Sequence, residues 1–425
     1  MGLVRESRIL RGSRVAQARL LEELRRRRRE LYELCASLVR IPSENPPGDT
    51  RALVAYVVEH LKTRGIEARI HEARAAMPNL VASIGTGRRR NLVLSGHLDE
   101  FPAGDGWTFP PFSGALKDGK ILGRGAGDMK AGLAVALFVV SLLREHDVEL
   151  DGRVTLAFAS DEETGGRWGT EWLLENVPEV RGDACLIGES SGIWSIGIGE
   201  KGVLWLGLTA PGLSGHSAYG QGRSAVTKML GALEEIAAFG GERARTRRDI
   251  AAVMRRQRPL VEKRWGPGTG RMADRLTMSV GTLRGGGQVN LIPARCEAEV
   301  DLRLPPGMST RALETRIRRR LRSRGFRDVE VTTLNRCDPY VTSPRDPLVA
   351  ALVANGAALL RTAPAPVIRL GYTDGRFFRR AGIPTAVYGP RVHRMGGPDE
   401  YVEQEEVLQV ALVHLGAVLD YLGAK

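Results

Sequence analysis

Short apolar runs that end abruptly in acid or imidazole side chains mark the first half of this chain. Residues 91–96 read as a core strand and lead into His97-Leu98-Asp99; residues 154–159 lead into Asp161-Glu162-Glu163; residues 185–188 lead into Glu189. A fourth station, Gly125-Ala126-Gly127-Asp128, follows a short apolar run and opens a stretch of helical periodicity over about 129–145. Continuous apolar runs of this length, bounded by polar residues, predict strands buried on both faces. From about residue 203 the pattern changes. It predicts a strand over 203–209, a helix near 223–239, strands near 276–283 and 295–304, a helix near 310–323 and a strand over 328–333. That β-α-β-β-α-β order predicts a smaller ferredoxin-like α+β domain inserted into the first. The flanking parts alternate strands and helices, which predicts an α/β fold with a mainly parallel sheet covered on both faces. The expected division is a charged helical extension over 1–30, one domain from 31–201 and 336–425, and an inserted domain over 202–335.

Length agrees, since 425 residues can bury a large core in two domains. Residues 1–30 predict a charged helix with Leu20, Leu21, Leu24 and Leu31 on its apolar side, and no run long enough for a signal peptide or a membrane span is expected. Four scattered cysteines, Cys35, Cys185, Cys296 and Cys337, lack zinc-finger spacing; Cys185 and Cys296, in apolar strand contexts, are expected to be buried thiols, and a reducing cytoplasm is expected. Net charge is +13, carried largely by arginine, with runs at 25–29 and 318–320 and a basic stretch over 241–258. Aromatics are 5% of residues and accompany no nucleic-acid-binding module, so specific nucleic-acid binding is not expected. A positive surface does suit small anionic substrates.

The stations carry the chemistry. In an extended chain, residues i and i+2 share a side, so Asp99 is expected to hydrogen-bond the far nitrogen of His97 and fix its tautomer while the near nitrogen faces a metal. Asp128 is expected at a helix start, where its two oxygens can be shared by two metals; alone it reads equally as a helix cap. Of the adjacent Glu162 and Glu163, one can face a metal and the other a water. Each candidate falls at the carboxyl end of a strand, where open α/β sheets place their ligand sites. An isolated His-x-Asp or Glu-Glu pair is usually a solvated or core pair. Four ordered stations together point to a centre for two divalent metals.

The ordered motifs resemble the metallopeptidase-20 family of zinc-dependent exopeptidases and deacylases, which includes acetylornithine deacetylase, succinyl-diaminopimelate desuccinylase, aminoacylase and carboxypeptidase G. The resemblance spans about residues 30–425 and rests on the segments 41–48, 95–99, 123–132, 161–165, 187–189, 290–293, 301–303, 373–374 and 382–385. It implies that His97 and Glu189 hold one metal, Glu163 the other, that Asp128 bridges, and that Glu162 is the general base. Zinc is the ion it implies, cobalt and manganese being compatible with the same donors. It further implies that the inserted domain is a lid making a homodimer contact, and that His216 reaches a partner's active site. Asn290 and Arg303 would lie near a substrate carboxylate; Arg303 reads equally as an exposed strand residue. The expected activity is amide hydrolysis of a small N-acyl amino acid. A dipeptidase or carboxypeptidase, and an inert amino-acid-binding homologue, are the alternatives. One departure stands out: Gly396 occupies the position where the family carries its last metal ligand, a histidine four residues before Glu400. His393 lies three residues earlier, and either reaches the second metal through a rearranged loop or is a surface residue.

Overall fold

The computed structural model describes residues 15–87 and 89–423. Contacts group the described residues into two compact units, one falling within 1–198, 342–367 and 373–425 and one within 199–341 and 368–372.

The first unit is built on a mixed sheet. Its centre consists of Arg153–Ala159, Asn91–His97, Ala184–Ile187 and Thr385–Val387, side by side and parallel. Asn79–Ile84 pairs antiparallel with Arg153–Ala159, and Ala68–His71 completes that edge. Leu92, Val93, Leu94, Val154, Leu156, Phe158, Cys185 and Ile187 are all buried, as expected for strands covered on both faces. Helix Ala131–Glu145 is buried along nearly its whole length, with Leu133, Val135, Leu137, Val139 and Val140 inaccessible. Contrary to the expectation that no run reaches membrane-spanning length, residues 126–145 are long and apolar enough to do so. The segment is largely buried in this fold and supplies a core helix. Leu20, Leu21, Leu24 and Leu31 are buried too, so the described part of the N-terminal charged segment packs its leucine side inward. Residues 1–14 lie outside the described residues.

The second unit carries an antiparallel sheet in the order Thr277–Gly285, Arg295–Leu304, Gly202–Pro211, Glu330–Cys337. In Arg295–Leu304, Cys296, Ala298, Val300, Leu302 and Leu304 point into the core and the residues between them point out. Helices Ala225–Ala237 and Thr310–Ser323 cover the inner face through Met229, Ile236, Leu313 and Ile317. The basic stretch folds as helices Arg248–Arg256 and Arg258–Trp265. Between them Gln257, 1% exposed, makes two hydrogen bonds to the backbone of Ile368, at 3.0 and 2.7 Å. The four cysteines are free thiols, and Cys337 is the half-buried one.

Candidate metal centre

Parallel pairing in register decides where the acids meet. His97 ends its strand opposite Ala159, and Ser95 lies opposite Ile187. The segments after these three strands, carrying Asp99, Glu162 with Glu163, and Glu189, therefore leave the sheet at the same edge. Asp128 arrives on the segment Ala126–Lys130. There Asp128 and Met129 have non-helical backbone angles, and the regular helix starts only at Ala131. Asp128 therefore stands three residues ahead of the regular helix and not at its start, and the alternative reading as a helix cap fails as well, since no side chain caps this helix. The helix approaches the Glu189 loop closely, since a Cβ on Gly132 would lie 2.3 Å from the carbonyl oxygen of Gly188. Only glycine permits that contact.

The result is a compact donor set. His97, Asp128 and Glu163 each offer a ligand atom, and these atoms lie within 4.8 Å of one another, an arrangement able to hold a metal ion. His97 is almost fully buried, with Nε2 3.3 Å from Asp128 Oδ1. Its Nδ1 is 2.9 Å from the backbone oxygen of Asp99 and 3.5 Å from that residue's Oδ1. The closer partner that sets the tautomer is therefore the Asp99 carbonyl, and the expected carboxylate contact is the longer one. The carboxylate does something the sequence did not reveal. Its Oδ1 accepts from the backbone N–H of Glu162 at 3.2 Å, and its Oδ2 from that of Glu163 at 3.1 Å and from Asn45 Nδ2 at 2.8 Å. Asn45 also donates to Thr164 Oγ1 at 2.9 Å, so one buried acid clamps the whole Glu162–Thr164 turn.

Electrostatics show what this cluster requires. Burial raises Glu163 to about 11, helped by repulsion from Asp128. Burial likewise holds Glu162 well above the carboxylate range; His97 and Arg376 oppose this, while Asp374 and Glu189 add to it. For His97 burial disfavours the charge, yet hydrogen bonds to Asp128 and Asp99 outweigh it and hold the imidazole well above its usual value. Glu163 Oε1 is buried without a hydrogen-bond partner among the described residues. Crowded, desolvated acids of this kind are relieved by bound cations, and a buried oxygen with no donor is what a metal ligand looks like without its ion. The donors present, one imidazole and several carboxylates, suit zinc, cobalt or manganese.

Residues that sequence reasoning passed over surround the cluster. Arg376 Nη1 lies 3.7 Å from Glu162 Oε1, and its guanidinium donates to the backbone oxygens of Thr373 and Gly165. Asp374 accepts from Thr170 at 2.5 Å. Arg124 and Glu400 form a pair at 2.6 Å with both side chains 1% exposed, and Glu400 also accepts from the N–H of Gly127 beside Asp128. Thr373-Asp374 and Glu400 stood in recognised segments; Arg376 had no signal in the pattern. The other predicted residues fall elsewhere. His393 pairs with Tyr401 across a short two-stranded contact and stacks flat on its ring, centroids 4.3 Å apart. Its neighbour Val392 faces the Asp128 segment, against Gly127. Gly396 has φ of +70° and its carbonyl accepts from Arg124 at 3.0 Å. In the second unit His216 Nε2 and Asn290 Nδ2 are 3.5 Å apart, and His216 Nδ1 accepts from the N–H of Ala218 at 3.2 Å. Arg303 is bound through Nε to Asp301.

Known proteins share this architecture. Residues 93–420 match the model for peptidase family M20/M25/M40. Succinyl-diaminopimelate desuccinylase of Paracoccus denitrificans is 30% identical over 398 residues, covering 90% of this chain and 96% of that protein. The enzyme of the same name from Cereibacter sphaeroides (strain KD131) is 31% identical over 406 residues, covering 91% and 98%. Among solved structures, an M20 family metallo-carboxypeptidase from Sulfolobus solfataricus superposes with a TM-score of 0.78 at 20% identity, covering 92% of this chain and 99% of that one. A dinuclear metal-binding M20 peptidase from Bacillus subtilis gives 0.65 at 15% identity, covering 93% and 98%. These structures share the fold, and the family model together with the desuccinylases settles membership: the chain belongs to peptidase family M20/M25/M40.

Proposed function

We propose that this protein is a metal-dependent deacylase that hydrolyses the amide bond of a small N-acyl amino acid. The buried group His97, Asp128 and Glu163, with Glu162 on the adjoining turn, carries this reading. Alignment with desuccinylases over about nine-tenths of the chain supports the deacylase over a peptidase. In this reading His97, Asp128, Glu163 and Glu189 hold two divalent ions, zinc first among them, and the ion beside Glu163 is the more weakly held because Gly396 supplies no imidazole. When bound, these ions supply Lewis acidity at the amide carbonyl and lower the pKa of a water.

Glu162 does the proton work. It takes the proton from the attacking water and returns it to the departing amine. Asp99 keeps Glu162 and Glu163 in place through their backbone N–H groups, and the Asp99 carbonyl, by taking the Nδ1 proton of His97, would leave its Nε2 lone pair available to hold an ion. His216, steadied by Ala218 and next to Asn290, donates to the developing oxyanion of a partner subunit's substrate. The homodimer this needs is supported by exposed Leu213, Tyr219, Val289 and Leu291 around these two residues, an apolar patch of the kind that marks interfaces. Arg303 binds a substrate carboxylate. The test is amine release from N-acetyl, N-succinyl, N-carbamoyl and dipeptide substrates, with zinc or cobalt and with a chelator. Metal-dependent release from an acylated amino acid is expected; release from dipeptides alone would make the protein a peptidase, and silence across the panel would overturn the enzyme reading.

A further inference from the structure

The turn Glu162–Thr164 is fastened at both ends. Asp99 holds its start through the N–H groups of Glu162 and Glu163, 63 and 64 residues away in the chain. The far end is held by Arg376, 211 residues from Gly165 and in the first turn of the helix Gly375–Arg380. Nη2 of Arg376 donates to the Gly165 carbonyl at 2.8 Å, and Nη1 donates to the Thr373 carbonyl at 3.1 Å. The guanidinium lies over the Phe377 ring at 4.3 Å, and the side chain is 9% exposed. Two backbone carbonyls and a ring therefore fix where this cation stands.

An arginine buried this far ordinarily meets a carboxylate through short hydrogen bonds. Arg376 stands differently toward Glu162. Its Nη1 is 3.7 Å from Oε1, near enough for charge attraction and too far for a hydrogen bond. The cation thus draws on the carboxylate without occupying its oxygens. The turn is shaped to allow this approach. Gly166 has φ of +70°, and a Cβ there would lie 2.5 Å from Asp374 Oδ1, 2.6 Å from the Phe377 ring and 3.3 Å from Arg376 Nη2. Only glycine lets the segment carrying Asp374, Arg376 and Phe377 close on the turn at this point. Thr170 donates to Asp374 at 2.5 Å and ties the same segment down from a second side.

We propose that Arg376 is a positioning residue for Glu162. It anchors the end of the turn through the Gly165 carbonyl and steadies the Glu162 side chain by charge, taking neither carboxylate oxygen by a hydrogen bond. The inference rests on the deacylase reading, in which Glu162 is the general base, and adds the group that keeps that side chain in line. It gives Arg376 no contact with substrate or metal, so the effect of Arg376 on the rate passes through Glu162.

The experiment measures kcat and KM of the zinc-loaded protein on an N-acyl amino acid, for Arg376→Met and Arg376→Lys, each alone and combined with Glu162→Gln. Arg376→Met is expected to lower kcat about 10–100-fold with KM changed less than about threefold, and Arg376→Lys to recover part of the loss. In the Glu162→Gln background the same substitutions should change kcat less than about threefold, because no carboxylate is left to position. Losses that multiply independently, an effect that falls mainly on KM, or a kcat within about threefold of wild type in Arg376→Met overturns the proposal. Where Arg376→Met does not fold, Arg376→Gln, which keeps an N–H donor for a carbonyl and removes the charge, decides by the same comparison. Hydrogen exchange separates this from the deacylase reading. The amides of Thr164, Gly165 and Gly166 donate within the turn, to the carbonyls of Asp161, Glu162 and Asp161. If the wild type releases no amine, faster exchange at these amides in the charge-removing variant retains Arg376 as the anchor of the turn, and unchanged exchange removes it.

Discussion

Replacing Asp99 by Asn tests the clamp on the catalytic turn with almost no change of shape. The carboxylate is 1% exposed and accepts from two backbone N–H groups and from Asn45. An asparagine has one acceptor oxygen. If its amide nitrogen replaces Oδ2, it confronts the N–H of Glu163 and the Asn45 amide; if it replaces Oδ1, it confronts the N–H of Glu162 and the His97 ring. In either orientation a part-buried backbone N–H loses its acceptor, at about 1–3 kcal/mol. The surviving bonds lose their charge assistance, roughly another 1 kcal/mol. A local loss of about 2–4 kcal/mol is therefore expected in the turn that carries Glu162, and a shift of about 1 Å in a reacting group can cost on the order of 100-fold in rate. The assay compares initial rates of amine release, metal per protomer, and hydrogen exchange of the amides at Glu162 and Glu163. The expected outcome is a roughly 100-fold lower kcat, faster exchange at both amides, and metal retained at saturating zinc. A kcat within about threefold of wild type, with exchange unchanged, would refute the clamp, because that difference is under 1 kcal/mol. Loss of metal with the turn still protected would show that Asp99 acts through His97 instead.

Further predictions concern proton transfer, metal content and pH. Glu162→Gln should lower kcat by about 10²–10⁴ while keeping its metal; an active variant would remove Glu162 from proton transfer. His393→Ala should leave metal content unchanged, because the imidazole lies flat on Tyr401; a lower content by elemental analysis would make it a ligand. Gly396→His places a side chain at φ +70°, at a cost of about 1–2 kcal/mol. The metal-free variant should melt lower and bind its second zinc more tightly in a competitive titration, and no gain in affinity would dissociate this position from the metal. Stability should rise with pH above about 7, because the cost of burying the Lys201 ammonium is fully present below its folded value near 7 and is relieved as pH rises toward its unfolded value of about 10.4. The same pH trend in thermal unfolding of Lys201→Met would remove Lys201 as its cause.

Much of the centre was legible before any coordinates, for a physical reason. Strands buried on both faces must be apolar throughout, so Leu92-Val93-Leu94 and Cys185-Leu186-Ile187 announce themselves, and the first acid after each marks the edge where the sheet ends. Helical and strand periods also located the elements of the second unit to within a few residues: the helix expected near 223–239 is Ala225–Ala237, and the strand expected near 276–283 is Thr277–Gly285.

What the pattern left open was the partner of each polar group. Periodicity says which face a side chain occupies, and it is blind to what arrives on that face from elsewhere in the chain. Arg124 meets Glu400 across 276 residues, and Asn45 meets Asp99 across 54. Nor did it show that Asp128 stands on non-helical backbone, that His393 turns to Tyr401, or that Lys201 is buried beside Thr277 and Arg303. The sequence by itself determined the strands, the edge at which the acids gather and the chemistry those acids can support. Only the tertiary structure decided which hydrogen bond holds each of them, because a buried polar group takes whatever partner the closed chain brings within about 3 Å.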